Sequence, residues 1–587
     1  MKRQETVGGR SFFFNAIFVV LNLVGLTFVV LGAQKWFESY FLLFSFIGYT
    51  TMAIAAAGLF VFSGRLMMSN VARVLVGSLF IVSGLVKAND PIGFSYKLEE
   101  YFEDGALAFR IKELFGAPGF SLEFLISSAL TLSVIICVIE IVLGVLLIIG
   151  GKIKPVVWIS VLMMAFFTFL TWHTANCNPE KKFKDRNTYA FSDGSAQLKW
   201  SEMKTNKSIQ VVSKTSTTLV VDEWMTPQCV SDCGCFGDAM KGSIGRSLTP
   251  TESLWKDIVL MYLLFWIFLA QWITEPNSSR QNVVFVACSL GLLALFSWVF
   301  SWYFIVIFGF VLVLAALWMK RNGGVLLGNY YGSILICSLL LFSLTTYVLM
   351  YEPLKDYRPY AVGKNLWKQM NDGVEGKYES TFVLRNVKTG KKEVFTQKEY
   401  MANKNLWDAK KYKFIEGSQR EIIPARLATI TEQFDPFLNI TDLTRADREF
   451  DEVKKQLSRP VKEGEEPISE ISLRNYVAHV DQIVLLSVKR LSDANWNEIS
   501  RYKAIVKACK RRNIPLIMVT NAAPNELKEF RSTYGMHIPI FLNDETELKA
   551  ISRSNPCLLV VRHGIVTSKF PHRSTPDVHW FIKNSIK

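Results

Sequence analysis

Two cysteines, Cys233 and Cys235, are separated by a single glycine in the stretch Val230–Asp238. A disulfide between them requires a tight backbone bend, and Gly234 permits nearly any bend. Small, strained and exposed disulfide rings are labile or catalytic rather than structural. The pattern predicts a thiol redox centre. A pair of metal-binding or structural cysteines is an alternative that the spacing supports equally well.

The composition indicates a membrane protein. Half of the 587 residues are hydrophobic and 13% are aromatic, which is too apolar for a soluble protein of this length. The formal net charge is +15, but the lysines and arginines are spread over short loops and the C-terminal part of the chain. Such a distribution fixes the orientation of a membrane protein, so we predict contact with the lipid bilayer and no nucleic-acid partner.

Nine apolar stretches have the length of membrane-spanning helices. They lie at about 12–31, 40–62, 71–86, 124–149, 156–171 and 258–273, at two positions within 283–319 that turn near Ser301, and at 331–349. The first stretch is longer than the core of a signal peptide and is not followed by a clear cleavage site. We therefore predict an uncleaved first helix that begins in the cytoplasm.

The positive-inside rule then sets the orientation. With the N-terminus in the cytoplasm, every cytoplasmic turn carries positive charge, for example Arg65, Lys152, Arg280 and Lys320. The loop 172–256 lies outside, where disulfides persist. We predict a bacterial inner-membrane protein whose C-terminal domain is periplasmic.

Four short stretches carry a resemblance to a known family: Ser83–Pro91, Gly93–Phe102, Asp232–Asp238 and Asp356–Tyr360. Together they resemble the DoxX/MauE superfamily of membrane proteins, in its bacterial branch with a soluble C-terminal extension. The resemblance implies a core of four helices and an association with thiol or quinone redox chemistry. The chain departs from the pattern by two additional N-terminal helices and by a polar insertion at about 178–228.

Two further cysteines, Cys177 and Cys229, stand at the ends of that insertion. We predict that they form a structural disulfide, which would stabilise the loop by up to about 4 kcal/mol. In the competing interpretation, Cys229 is the resolving thiol for the Cys233/Cys235 pair. His173 and the four loop cysteines could supply zinc ligands, but their spacing is not typical of zinc sites, so we predict no metal.

Three of the ionisable residues in or next to the predicted spans are candidate site residues. Glu140 lies well inside a span, where a carboxyl group is costly, and it is a candidate proton acceptor. The alternative is a carboxyl hydrogen-bonded to a neighbouring helix. Lys87 and Asp90, at the outer end of the third span, could pair with each other or bind an anionic or quinone headgroup. Snorkelling is the simplest explanation for Lys87.

The last 120 residues alternate between strand and helix patterns. Their order, with Pro556 before a strand and a hairpin, resembles the thioredoxin fold with Pro556 in its cis-proline position. The Cys-x-x-Cys of that family would fall between Val488 and Trp496, and the chain has no cysteine there. We predict a redox-inactive domain that docks an extracytoplasmic protein partner, and we expect Cys557 to be buried.

The sequence therefore predicts an α-helical polytopic membrane protein with a C-terminal α/β thioredoxin-like domain. The predicted segments are two helices (1–66), a DoxX/MauE-like four-helix core (67–274), three further helices (275–350), an α+β segment and linker (351–467) and the thioredoxin-like domain (468–587).

The leading function is that of a thiol–quinone oxidoreductase, in which Cys233 and Cys235 pass electrons to a quinone and Glu140 moves a proton. The alternative is a non-catalytic membrane scaffold or assembly factor whose tail binds an envelope partner. Transport has only Glu140 in its favour, because the chain lacks paired broken helices or repeated halves.

Overall fold

The fold is taken from a computed structural model. It describes residues 9–34, 40–117, 119–190, 209–214, 218–230, 234, 236, 238–322, 329–387, 389–423, 428–430, 477 and 480–586. Cys233 and Cys235 lie outside the described residues. The chain divides into two compact units, Met1–Tyr357 and Arg358–Lys587, and each is described by itself.

The first unit is mainly helical. Its α-helices are α1 (Gly9–Ala33), α2 (Phe41–Val61), α3 (Arg65–Asn89), α4 (Pro91–Phe102), α5 (Phe109–Phe115), α6 (Ala129–Ile149), α7 (Ile153–Ala175), α8 (Asp238–Ile244), α9 (Pro250–Ala270), α10 (Ser279–Val299), α11 (Phe304–Asn322) and α12 (Asn329–Met350). A small antiparallel sheet between α7 and α8 has the order β1 (Phe183–Ala190), β3 (Thr218–Met225), β2 (Ile209–Lys214).

Among the described residues, nine helices are long and apolar enough to cross a membrane, as the sequence predicts. They are α1, α2, α3, α6, α7, α9, α10, α11 and α12. The turn between α10 and α11 contains Ser301, at a φ of 49°, as expected from the length of that apolar region. One boundary differs clearly from the prediction, because α9 begins at Pro250 rather than near 258.

A capping box explains the early start of α9. The Thr249 hydroxyl accepts from the backbone N–H of Glu252, and the Glu252 carboxylate accepts from the backbone N–H of Thr249. Both interactions satisfy backbone donors that a helix N-terminus would otherwise leave unpaired. The helix therefore extends over a charged segment that an apolar pattern does not include.

The helices α3 and α6 approach each other at backbone distance. A Cβ atom added to Gly77 would lie 2.8 Å from the carbonyl oxygen of Gly144, and one added to Gly144 would lie 2.6 Å from the carbonyl oxygen of Gly77. Gly84 makes a similar approach to Ile141. Glycines permit this close packing of membrane helices. The α3–α6 contact sets the distance between polar side chains on the two helices.

The C-terminal end of α6 is bound by three side chains from elsewhere in the bundle. Arg73 Nε donates to the carbonyl oxygen of Leu147 at 2.9 Å, Asn277 Nδ2 to that of Ile148 at 2.9 Å, and Lys320 Nζ to that of Ile149 at 2.8 Å. Two of these donors are cations, which interact favourably with the negative end of the helix dipole. The contacts fix α6 against α3 and α11.

We expect Arg73→Met to lower the free energy of unfolding by about 3 kcal/mol, because hydrogen bonds from a charged donor are worth about 1.5–3 kcal/mol each. Arg73 also donates from Nη2 to Asn277 Oδ1 at 2.8 Å. Thermal unfolding of the detergent-solubilised protein would measure the change. The matched control is Lys152→Met, because Lys152 contacts Tyr331 on an exposed surface. Equal melting of Arg73→Met and Lys152→Met would contradict the prediction.

The second unit contains two sheets. Its helices are α13 (Leu366–Met370), α14 (Gln397–Ala402), α15 (Ile499–Arg511), α16 (Pro524–Tyr534), α17 (Glu545–Ile551) and α18 (Val578–Asn584), and its strands are β4 (Lys377–Asn386), β5 (Lys392–Thr396), β6 (Tyr412–Ile423), β7 (Gln482–Val488), β8 (Leu516–Thr520), β9 (Ile540–Leu542), β10 (Cys557–Arg562) and β11 (Ile565–Pro571). The smaller sheet has the order β5-β4-β6.

The larger sheet has the order β11-β10-β7-β8-β9. Strands β7, β8 and β9 are parallel, whereas β10 is antiparallel to both β7 and β11. The Asn555–Pro556 peptide bond before β10 is cis. The Asn555 side chain binds the turn after β7, donating to the carbonyl oxygen of Arg490 and accepting from the N–H of Lys489.

The domain boundary in this unit differs from the predicted one at 467/468. Tyr360, Leu366 and Met370 belong to the same hydrophobic core as residues of β7 and β10. The N–H of Gly363 donates to Val566 O, and that of Leu366 to Gly564 O, both at 2.7 Å. The residues that follow the last span therefore complete the α/β domain. The predicted linker, 458–467, lies outside the described residues.

The two cysteines of the second unit, Cys509 and Cys557, are both fully buried, and the expectation for Cys557 is confirmed. Burial raises the pKa of Cys509 to about 12. That thiol stays protonated at neutral pH and is a poor nucleophile.

Candidate functional site

The candidate site is centred on a buried ion pair between α3 and α6. Lys87 Nζ lies 2.7 Å from Oε2 of Glu140, and the two side chains are only 3% and 5% exposed. Lys87 also donates to Ser83 Oγ at 3.1 Å, and its ammonium lies 4.5 Å from the ring centroid of Phe167. The glycine-mediated approach of α3 to α6 brings the two charged groups together.

This geometry corrects the snorkelling interpretation of Lys87. A snorkelling lysine places its ammonium in water, but Nζ of Lys87 is enclosed by the bundle and binds Glu140. Asp90 caps the next helix instead, because its carboxylate accepts from the N–H of Gly93 at 2.9 Å. For Glu140, the structure has a carboxyl bonded to a neighbouring helix; its role as a proton acceptor stays a prediction.

A second ion pair lies on α9 and was not predicted from the sequence. Lys256 Nζ lies 2.7 Å from Oδ1 of Asp257, and the Thr171 hydroxyl donates to Oδ2 of Asp257 at 3.0 Å. The Asp257 side chain is 1% exposed, whereas that of Lys256 is 22% exposed. The sequence prediction missed the pair because it began this span at 258. The only signal was the helix N-terminus marked by Thr249-Pro-Thr-Glu252.

Both ion pairs line one small cavity. Its polar lining consists of Ser83, Lys87, Glu140, Lys256 and Asp257, and apolar side chains of α3, α7 and α9 together with Phe236 complete it. The cavity volume is about 20 Å³, which is room for about one water molecule. Four ionisable groups thus surround a space of the size of a single water.

Two described residues flank Cys235 in the sequence. Gly234 has a φ of 64°, a backbone conformation that favours glycine, and a Cβ atom there would lie 3.0 Å from Cγ of Lys97. Phe236 lines the cavity and packs against Phe300, with the ring centroids 5.5 Å apart and the ring planes tilted by 37°. Lys256 Nζ lies 5.5 Å from the Phe236 ring centroid.

Cys177 and Cys229 form a disulfide with their Cα atoms 5.6 Å apart. Two other contacts tie the same loop to the bundle: the N–H of Gln228 donates to Gly105 O at 2.7 Å, and Lys112 Nζ donates to Oδ1 of Asp185 at 2.5 Å. The structural role assigned to this disulfide stays a prediction. Among the described residues, no group of three or more His, Cys, Asp or Glu side chains could hold a metal ion.

Comparison with known proteins identifies one family. Residues 65–176 match the family model of the methylamine utilisation protein MauE, a DoxX/MauE-like membrane family. The match confirms the predicted resemblance for α3 to α7 and includes Lys87 and Glu140, but it ends before the Cys-Gly-Cys stretch and α9. Searches of curated proteins and of solved structures find no match. The family match and the nine apolar helices identify a multi-pass membrane protein.

Proposed function

We propose that this protein is a membrane thiol–quinone oxidoreductase, in which Cys233 and Cys235 are the reacting dithiol and Glu140 accepts a proton. One observation carries the proposal: the Lys87–Glu140 pair is buried in the bundle and lines a water-sized cavity together with Phe236, the residue after Cys235. Ionisable groups inside membrane helices are costly and mark proton or substrate pathways.

The proposed reaction is the oxidation of a dithiol by a quinone. The two S–H bonds of Cys233 and Cys235 break and one S–S bond forms, releasing two electrons and two protons. The two electrons, together with two protons, reduce a membrane quinone to a quinol, so the overall reaction is balanced. The protons need acceptors close to the sulfur atoms, and the carboxyl group of Glu140 would receive one of them. Lys87 Nζ, 2.7 Å from Oε2 of Glu140, would hold that carboxyl group in place.

The quinone itself does not fit the cavity. A cavity that binds benzene has a volume of about 150 Å³, whereas this one has about 20 Å³. We therefore assign no step at the quinone to these residues. The cavity suits a water molecule, and its proposed role is to carry protons.

Lysines beside the Cys-Gly-Cys stretch support a reactive dithiol. A Cβ atom on Gly234 would lie 3.0 Å from Cγ of Lys97, and Lys256 Nζ lies 5.5 Å from the Phe236 ring centroid, so a lysine side chain lies beside the chain on each side of Cys235 in the sequence. Positive charge close to a thiol favours the thiolate, which is the nucleophile in thiol–disulfide chemistry. Structural cysteines require no such surroundings.

The orientation and the tail complete the proposal. Positive turns at Arg65, Lys152 and Arg280 favour a bacterial inner-membrane protein with loop 172–256 and the second unit in the periplasm. The strand order β11-β10-β7-β8-β9 and the cis bond before Pro556 support a thioredoxin-like domain. Its turn after β7 has no cysteine, which favours docking of an extracytoplasmic protein over redox chemistry in this unit.

The turn after β7, which contains no cysteine, also supports the second candidate function, a non-catalytic scaffold. In this case the loop cysteines are structural and the second unit recruits an envelope partner. The two candidates differ in the behaviour of one cysteine pair, because only an oxidoreductase needs Cys233 and Cys235 to cycle.

The redox state of this pair in membranes tests the proposal. Differential alkylation followed by mass spectrometry, before and after addition of menadione, should find Cys233 and Cys235 partly reduced at first and oxidised afterwards. Cys233→Ser and Cys235→Ser should each abolish quinone reduction while the protein remains folded, because neither sulfur can then form the disulfide.

The matched control is Cys288→Ser, because Cys288 is an exposed free cysteine on α10. It should leave quinone reduction unchanged. A Cys233/Cys235 pair that stays fully oxidised and does not respond to menadione would refute the oxidoreductase and favour the scaffold.

A further inference from the structure

We infer that Asp257, together with Lys256, is a second proton-holding site, and that protons pass between Glu140 and Asp257 through the shared cavity. The inference rests on the proposed function and extends it to residues outside the part of the chain that matches MauE. Its basis is that the buried Lys87–Glu140 pair and the partly buried Lys256–Asp257 pair face one water-sized space.

Burial of Asp257 beside Lys256 costs folding free energy. Asp257 is fully buried on a membrane-spanning helix, with Lys256 and Thr171 bound to its two carboxylate oxygens. Taking two charges out of water costs more than a single good contact returns, and a well-packed apolar pair is often at least as stable. Stability alone therefore does not account for a second ion pair with a buried carboxyl group so close to the first.

Both ion pairs face the same cavity, so that a water molecule there could connect them. The polar groups that face the cavity come from three helices, Ser83 and Lys87 on α3, Glu140 on α6, and Lys256 and Asp257 on α9, whereas the α7 side chains that line it are apolar. Thr171 on α7 binds Asp257 from behind. A cavity of about 20 Å³ has room for about one water, and a water held by the polar groups on its wall can bridge two carboxyl groups by hydrogen bonds.

The number of carboxyl groups at the cavity equals the number of protons that oxidation of the dithiol releases. Oxidation of one dithiol releases two protons, and the cavity offers two carboxyl groups, each neutralised by its own lysine. Each carboxyl group can accept one proton, so both protons have a place without sharing one site.

The two ion pairs differ in their exposure to solvent, and this difference indicates the direction of the proton route. Lys256 has the most exposed side chain of the four, at 22%, whereas those of Lys87, Glu140 and Asp257 are 3%, 5% and 1% exposed. The α9 pair thus lies at the open end of the route and the α3–α6 pair at its closed end. We infer that protons exchange with water at Lys256 and Asp257.

The test is quinone reduction by the full-length protein in proteoliposomes, with dithiothreitol as reductant and menadione as acceptor. Asp257→Asn should lower turnover by about 10²-fold, the lower end of the range for general acid–base catalysis. Asp257→Glu should restore most of the turnover. Sodium azide, which supplies the small anion of the weak acid hydrazoic acid, should raise the turnover of Asp257→Asn and leave that of the wild type unchanged.

The control is Glu123→Gln, an exposed carboxyl group just before α6, which should behave as the wild type. Wild-type turnover in Asp257→Asn would overturn the inference alone. So would a loss that neither azide nor Asp257→Glu restores, because such a loss indicates a structural role. A wild-type protein that reduces no quinone would overturn the proposed function and this inference with it.

Discussion

Glu140→Gln is expected to lower the free energy of unfolding by about 3–5 kcal/mol, the range measured when one partner of a buried ion pair is removed. The substitution removes the Glu140 charge that lies 2.7 Å from the Lys87 ammonium, whose side chain is 3% exposed. Thermal or denaturant unfolding in detergent would measure the change. Glu123→Gln, which alters an exposed carboxyl group, should have no effect.

The double substitution Lys87→Met/Glu140→Gln separates stability from function. It should recover most of the lost stability, because no uncompensated charge remains in the bundle. Quinone reduction should stay lower by about 10²–10⁴-fold, since the proton acceptor is still missing. Recovery of turnover in the double variant would contradict a proton-accepting role for Glu140. Equal stability of Glu140→Gln and the wild type would contradict the buried pairing itself.

The second large effect concerns the disulfide between Cys177 and Cys229. These residues are 52 positions apart, and closing a loop of this length stabilises the folded state by about 4 kcal/mol in the chain-entropy description. We expect Cys177→Ala/Cys229→Ala to increase proteolysis between 178 and 228 while the transmembrane bundle melts almost as in the wild type.

The same variant distinguishes two roles of Cys229. If the disulfide is structural, Cys233 and Cys235 should still respond to menadione in the double variant, although the loop is less stable. If Cys229 is the resolving thiol, both Cys229→Ala and the double variant should block the redox response, and Cys177→Ala alone should preserve it. Alkylation of the remaining cysteines would identify the outcome.

The number of spans could be predicted from the sequence, because crossing a membrane requires about 20 apolar residues regardless of tertiary contacts. The start of α9 could not be predicted in this way. Lys256 and Asp257 interrupt the apolar run, and only their mutual pairing and the hydroxyl of Thr171 allow them to lie within the bundle. A pattern of single residues contains no information about such compensation.

The partner of Lys87 was missed for a related reason. Glu140 lies 53 positions away in the chain, and its proximity depends on the contact between Gly77 and Gly144. The position of Lys87 near a helix end favoured snorkelling, which is a local explanation. The candidate residues Lys87 and Glu140 were thus identified, but their relationship required the packing of α3 against α6.

In the second unit, strands β7, β8 and β10 were predicted from their apolar runs, which are buried on both faces. The start of the α/β domain was not predicted. The backbone N–H groups of Gly363 and Leu366 donate to Val566 O and Gly564 O, about 200 positions later in the chain. Hydrogen bonds over such a separation cannot be predicted from a local sequence pattern. The intervening sheet β5-β4-β6 made the earlier segment look independent.

The small cavity has a consequence for membrane energetics. A space of about 20 Å³ has room for about one water molecule and is too small for a hydrated sodium or potassium ion. Protons move along hydrogen bonds and need no such space. If Glu140 and Asp257 exchange protons through this cavity, as proposed, the cavity itself would give hydrated cations no path.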